Sequence, residues 1–272
     1  MLEKERPIFL TLSRTIKAKW KRRLTKPPAR SALNAGKAAF VRSNCPDASR
    51  LAQWKLSKMQ TLSLPNLTQA RIDGTEWTVV ETQFDESELH YKETVFTLGN
   101  GYLGTRGTFE EGYPGAMPAT LINGVYDDVP VVYTELANCP DWLPLVIWVG
   151  GDRFSLNRGT ILKYQRRLDL RQGLLQRDIR WRSPSGKTVD LHFERFTSLA
   201  DQHVLAIRCQ VTPVDFAGEI EVQASINGYP HNQGVMHWDW VEQGVTGKSV
   251  WLHERSRYSK IDLGIATQLT VS

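Results

Sequence analysis

A chain of 272 residues with 41% apolar side chains can bury one large core, with or without an extension. Its net charge of +5 conceals two regions of opposite sign: residues 1–65 carry 15 Lys/Arg against 3 Asp/Glu, and residues 66–272 carry 19 against 26. The basic balance belongs to the beginning of the chain, which excludes a nucleic-acid partner inferred from whole-chain charge. Three widely spaced cysteines, Cys45, Cys139 and Cys209, make neither a disulfide framework nor a metal-ligand pattern and fit a reducing cytoplasm.

Residues 1–65 form a basic extension, densest from Lys17 to Lys26 and followed by Pro27 and Pro28. Acidic residues are too few there to build salt-bridged helix faces, so the extension is expected to be mostly irregular, at most partly helical. An organelle transit peptide has a similar composition, Lys19 to Arg23 would also suit nucleic acid or a membrane surface, and Met59 offers an alternative start. The expectation retained is a solvated extension with no nucleic-acid and no membrane partner. Met1 to Pro7 is charged, so no signal peptide is visible. The longest apolar run, Leu143 to Val149, is far below the roughly 18 residues of a membrane span.

From Glu76 onward, short alternating stretches are separated by Gly, Pro, Asn and Asp. Ser183-Pro184-Ser185-Gly186 lies between Arg180–Arg182 and Thr188–Phe193 and signals a hairpin. Val189, Leu191 and Phe193 share one parity, and the apolar set then slips at Phe196, as a β-bulge would cause. Leu205, Ile207, Cys209 and Val211 alternate with polar residues, as do Ile220, Val222, Ala224 and Ile226. Ile261, Leu263, Ile265, Leu269 and Val271 alternate again. No stretch after residue 75 keeps a 3.6-residue apolar period. The predicted fold is all-β: a large antiparallel β-sandwich over residues 70–272. The last strand runs to Ser272 without a turn or charged tail, which reads as a truncation.

Gly99-Asn100-Gly101-Tyr102-Leu103-Gly104 matches a dinucleotide-loop pattern, but no helix-forming sequence follows it, so it is read as a tight loop between strands. The carboxylate pairs Glu110-Glu111 and Asp127-Asp128 are adjacent, and neighbours in a strand point to opposite faces, so surface solvation is expected rather than a catalytic dyad. The six histidines show no metal-ligand spacing, and no nucleophile motif is present. Nine tryptophans are many for this length; most are expected in the core, but Trp142, between Pro140 and Pro144, is the candidate for an open loop aromatic.

Residues 93–107, Glu-Thr-Val-Phe-Thr-Leu-Gly-Asn-Gly-Tyr-Leu-Gly-Thr-Arg-Gly, closely resemble a signature of glycoside hydrolase family 65. Further blocks follow in order: Trp77 and Phe84-Asp85 before it, then Pro118 to Asp127, Asn138 to Trp142, Leu168 to Leu175 and Glu194-Arg195-Phe196. The resemblance covers residues 76 to about 250. It implies a galactose-mutarotase-like super-sandwich joined in the family to an (α/α)₆ barrel that holds the catalytic acid and the phosphate-binding groups. It implies an α-linked disaccharide such as maltose, trehalose or kojibiose as substrate of a parent enzyme. In that parent, inverting phosphorolysis uses inorganic phosphate as co-substrate, hydrolysis uses water, and neither needs another cofactor. The barrel has no counterpart in this sequence, so no catalytic residue is carried over, and no metal site is expected. Asn100, Tyr102, Arg106, Tyr126 and Trp142 are the candidates for the rim of the substrate pocket, with loop anchoring as the competing role.

The expectation is therefore an amino-terminal fragment of a cytoplasmic, homodimeric enzyme of disaccharide metabolism, inactive alone. The rival readings are a stand-alone carbohydrate-binding or assembly module, and one half of a split enzyme whose barrel is encoded separately.

Overall fold

The computed structural model describes residues 8–19, 77–129 and 133–271. The strands are β1 (Ile8–Lys19), β2 (Thr78–Glu81), β3 (Leu98–Gly99), β4 (Leu103–Thr105), β5 (Thr120–Ile122), β6 (Tyr126–Val129), β7 (Tyr133–Leu136), β8 (Leu145–Val149), β9 (Asp152–Arg153), β10 (Thr160–Asp169), β11 (Leu174–Arg182), β12 (Thr188–Thr197), β13 (Val204–Pro213), β14 (Ile220–Ala224), β15 (Trp238–Thr246), β16 (Ser249–Ser256) and β17 (Asp262–Val271). A 3₁₀ turn at Glu86–Glu88 leads into one short helix, α1 (Leu89–Val95). Nine strands form the main sheet in the order β15-β16-β17-β1-β13-β12-β11-β10-β2. A smaller sheet, β14-β8-β9, supplies the second layer, and β3-β4-β5 and β6-β7 carry loops. Each pair is antiparallel.

Alternation explains the layering. On β13, Leu205, Ile207, Cys209 and Val211 are fully buried while Arg208 faces out. They meet Leu145, Ile147 and Val149 of β8 in one hydrophobic core. Inward side chains from two facing sheets interdigitate in this way in a sandwich. The β11–β12 hairpin closes where expected, with Arg182 opposite Thr188 and Gly186 at φ +88° in the turn. Only glycine adopts that conformation without strain.

Three expectations change. Within the amino-terminal segment, Ile8–Lys19 is a strand, and it fills the slot between β13 and β17: Leu12 lies opposite Ile207 on one side and Leu269 on the other. Without it, two long sheet edges would stand open. The remainder of the basic extension, with the domain boundary expected near residues 65–70, lies outside the described residues. The bulge expected at Phe196 is not there: β12 keeps its register with both neighbours through Thr197. The inward position after Phe193 is taken by Arg195, which is buried, and Phe196 faces outward. Bulges occur instead at Ile161/Lys163 and Trp240/Glu242. Finally, α1 is present although the periodicity predicted no helix, because two turns are too short to show a 3.6-residue repeat.

Candidate functional site

Three arginines occupy inward positions on neighbouring strands of the main sheet: Arg166 on β10, Arg177 on β11 and Arg195 on β12, all buried. Arg166 and Arg177 stand directly opposite each other, and Arg177 is opposite Phe193. Like charges so placed repel unless anions compensate. The compensation comes from the segment Gly107–Glu111. Arg177 donates to both oxygens of Glu111, Nη1 to Oε1 at 2.8 Å, and to Glu110 Oε2 at 2.8 Å. Arg195 pairs with Glu110 at 3.3 Å and donates to the Thr108 carbonyl at 3.0 Å. Arg166 donates to the Gly107 carbonyl. The Phe109 ring lies against the guanidinium groups of Arg166, at 4.9 Å, and Arg177, at 4.7 Å. Cation–π stacking of this kind strengthens where water is excluded.

The electrostatics follow. Burial opposes the charge on Glu110, but Arg195 and Arg177 outweigh it and hold its carboxyl below the usual range. Burial pulls Arg195 down to about 10 despite Glu110. Glu81 moves the other way: burial pushes it up, against the pull of Arg166 and a hydrogen bond from Tyr164. Glu110 is thus a locked anion, the reverse of a general acid, which needs a raised carboxyl open to substrate. Glu254 is pushed up to about 8 by burial alone, but it is 1% exposed.

The glycine-rich block sits above this clamp. Leu98–Gly99 and Leu103–Thr105 pair as a hairpin with Gly101 at φ +85°. Asn100 anchors it: its Nδ2 donates to the carbonyls of Ser198 and Gln202 at 2.8 Å and 3.0 Å, and its Oδ1 accepts from the Tyr102 and Leu103 amides. Tyr102 is half-buried, its ring edge-on to His203. Arg106 donates to Glu93 at 3.2 Å and to the His90 carbonyl at 3.1 Å, fastening β4 to α1. Trp142 is fully buried, contrary to the expected open loop aromatic, and donates to Thr105 at 3.1 Å. Tyr126 is exposed at the start of β6. Asn100, Tyr102, Arg106 and Trp142 are therefore tied into loop and core contacts, and Tyr126 is the exposed one of the five expected rim residues.

Asp127, expected to be solvated, is buried and accepts from the Tyr258 and Ser259 amides, and His237 sits between Asp127 and Glu135 at 3.3 Å and 2.8 Å. Burial of Glu110, Glu111 and Asp127 overturns the expectation of surface carboxylates. Sequence reading missed the arginine clamp, although a signal existed: arginine interrupts the inward parity of three successive strands, between Tyr164 and Leu168, between Leu175 and Ile179, and after Phe193. Among the described residues, no three His, Cys, Asp or Glu side chains are grouped to hold a metal ion, and no helix is long and apolar enough to cross a membrane. A polar cleft of about 380 Å³ lies beside the clamp, lined by Glu111, Tyr113, Arg153, Ser155, Asn157 and Arg158.

The fold and the site define a two-layer antiparallel sandwich domain in which Arg177 and Arg195 pair with the buried Glu110 and Glu111. Residues 79–272 match the family model "Glycosyl hydrolase family 65, N-terminal domain". The chain belongs to that family. It is 38% identical over 162 residues to a kojibiose phosphorylase of Halothermothrix orenii, covering 60% of this chain and 21% of the relative. It is 38% identical over 172 residues to an α,α-trehalose phosphorylase of Thermoanaerobacter brockii, covering 58% and 22%. A solved structure described as a putative kojibiose phosphorylase from human microbiome superposes with a TM-score of 0.61 at 20% identity, over 72% of this chain and 32% of that one, which shows the shared fold. The chain thus spans about a fifth of the length of these curated relatives.

Proposed function

We propose that these 272 residues are the sandwich part of a longer enzyme that phosphorolyses or hydrolyses an α-linked disaccharide such as kojibiose, trehalose or maltose, and that they supply scaffold rather than reacting groups. Inorganic phosphate is the co-substrate if the enzyme is a phosphorylase. The observation that carries this reading is the arginine clamp. Beside the polar cleft, Glu111 is paired with Arg177, and Glu110, paired with Arg177 and Arg195 and held below the usual carboxyl range, lacks a proton to give at neutral pH. In this reading the reacting acid belongs to an (α/α)₆ barrel, in the same polypeptide or encoded separately, and the rim candidates Asn100, Tyr102, Arg106, Tyr126 and Trp142 act by holding loops toward it. The enzyme is a cytoplasmic homodimer; the free, buried thiols of Cys139 and Cys209 are consistent with a reducing compartment.

The test is turnover by the purified chain. Incubated with each disaccharide, with and without phosphate, it is expected to release neither glucose nor glucose 1-phosphate, and release of either overturns the reading. A free-standing carbohydrate-binding module is the second reading, with the polar cleft at Arg153 and Arg158 as its site. Saturable heat on titration with these disaccharides would favour it, and a flat titration removes it.

A further inference from the structure

Arg166, Arg177 and Arg195 are all buried but unequally paired. Arg177 holds Glu110 and Glu111, Arg195 shares Glu110 at 3.3 Å, and Arg166 makes no ion pair among the described residues. Three guanidinium charges thus face two paired carboxylates. Glu81, whose carboxyl acts on Arg166, does not close the difference, because burial pushes it toward its neutral form. Asp141 pulls on Arg195 too, but less than Glu110 does. The deficit shows in the cations themselves. Burial weakens all three; Glu111 and Glu110 overcome it at Arg177 and raise that group, whereas burial prevails at Arg166 and Arg195 and lowers both.

The unused hydrogen-bond donors fall in the same place. Arg195 spends Nη1 on the Thr108 carbonyl and Glu110, and its buried Nε and Nη2 bond no protein group. Those two atoms form one edge of the guanidinium. On the exposed Arg180 that edge grips Asp190, Nε to Oδ1 and Nη2 to Oδ2, each at 2.7 Å. Arg166 uses Nη2 on the Gly107 carbonyl and keeps a buried Nη1 that bonds no protein group, and the buried Thr108 hydroxyl is unbonded as well. These donors gather around residues 107 and 108, where the two guanidinium groups bind successive carbonyls. Strand register brings the arginines there: Leu175 stands opposite both Arg195 and Leu168, and Arg166 is the next inward residue from Leu168 on β10. A buried charged donor without an acceptor is costly and rare.

We propose that Arg195, Arg166 and Thr108 bind one small, singly charged anion, chloride, inside the sandwich. Such an ion accepts from the parallel N–H groups of the Arg195 edge, from Arg166 Nη1 and from the Thr108 hydroxyl, and its single charge equals the deficit. Water would satisfy the donors and leave the charge. Phosphate or sulfate would overshoot the deficit, and a doubly charged ion costs more to strip of water. The surroundings are apolar: Arg166 stacks on Phe96 at 4.4 Å, and Phe96, Leu168 and Leu175 pack together. The site lies within this chain, so it stands apart from the longer-enzyme reading and from its turnover assay.

Urea unfolding of the purified 272-residue chain tests the proposal, in buffers of constant ionic strength where chloride progressively replaces gluconate, an anion too large for the site. An anion bound only by the folded chain lowers the unfolding equilibrium constant in proportion to its occupancy, about tenfold when chloride stands at about ten times its half-saturating concentration. A saturable fall of this kind is expected. Bromide should replace chloride, and its anomalous scattering in a crystal should place it within hydrogen-bond reach of Arg195 Nε and Nη2. Thr108→Val keeps the shape and deletes one donor; it should raise the half-saturating chloride concentration about tenfold while unfolding in gluconate stays cooperative. Arg166→Met removes the surplus charge and should make stability independent of chloride. No dependence on chloride overturns the proposal and leaves the donors to water. A dependence that never saturates overturns it in favour of surface screening. The same half-saturation in the parent chain and Thr108→Val, or a dependence retained in Arg166→Met, also overturns it. Should either variant fail to fold, the bromide position decides, and bromide found away from Arg195 refutes the site.

Discussion

Arg177 holds Glu111 through both guanidinium Nη atoms, and both side chains are shut away from water. A carboxylate and a guanidinium in this fork geometry make parallel charge-assisted hydrogen bonds. Their burial makes the pair asymmetric in consequence: breaking it costs far more than replacing it. Arg177→Leu leaves Glu111 buried without the Arg177 ion pair and leaves Glu110 paired with Arg195. A loss of about 3–5 kcal/mol in urea-unfolding free energy is expected, against a near-neutral result if the pair were a surface decoration.

Gly107 carries the second prediction. A Cβ there would stand 2.6 Å from the Phe96 Cβ and 2.7 Å from the Phe96 carbonyl. Its amide also donates to Glu93 at 2.7 Å, so the backbone has no room to withdraw. Gly107→Ala should destabilise by roughly 1–3 kcal/mol through overpacking, measured as a fall in melting temperature.

Two of the aromatic rim candidates separate by a simple comparison. Trp142→Ala removes a fully buried ring and its bond to Thr105, and roughly 3–5 kcal/mol of stability is expected to go with it. Tyr126→Ala removes an exposed ring and should stay within about 0.5 kcal/mol. Equal effects in denaturant titrations would contradict the burial described for Trp142.

Glu254 gives the fourth prediction, through pH. Burial raises its carboxyl from the ordinary 4.5 to about 8 in the folded chain. Between these values the folded state holds a proton that the unfolded state has released. Stability contributed by the protonated carboxyl is therefore fully present below about 4.5 and is lost as pH rises through about 8. Glu254→Gln should flatten the decline in melting temperature across that window. A decline identical to that of the parent chain would show that Glu254 does not titrate there.

Much of the fold was legible because period-two patterning is local. Leu205 to Val211 and Ile220 to Ala224 declare their inward faces with no knowledge of their neighbours, and the turn at Ser183–Gly186 declares its hairpin. What misled was charge on the inward parity. Arg195 after Phe193 looks like a register slip, because an arginine is seldom buried unless paired. Its partner, Glu110, is 85 positions away in sequence. The strand at Ile8–Lys19 was hidden for a related reason: its basic end reads as solvated until β13 and β17 are seen to leave a slot.

The sequence by itself determined the all-β class, the family and the glycine-rich hairpin, since each depends on residues close together in the chain. Only the tertiary structure decided that Glu110, Glu111 and Asp127 are buried and that Trp142 is core. Burial and ion pairing depend on which distant strands come to face one another, and alternation along a strand says which residues share a side without saying what lies opposite.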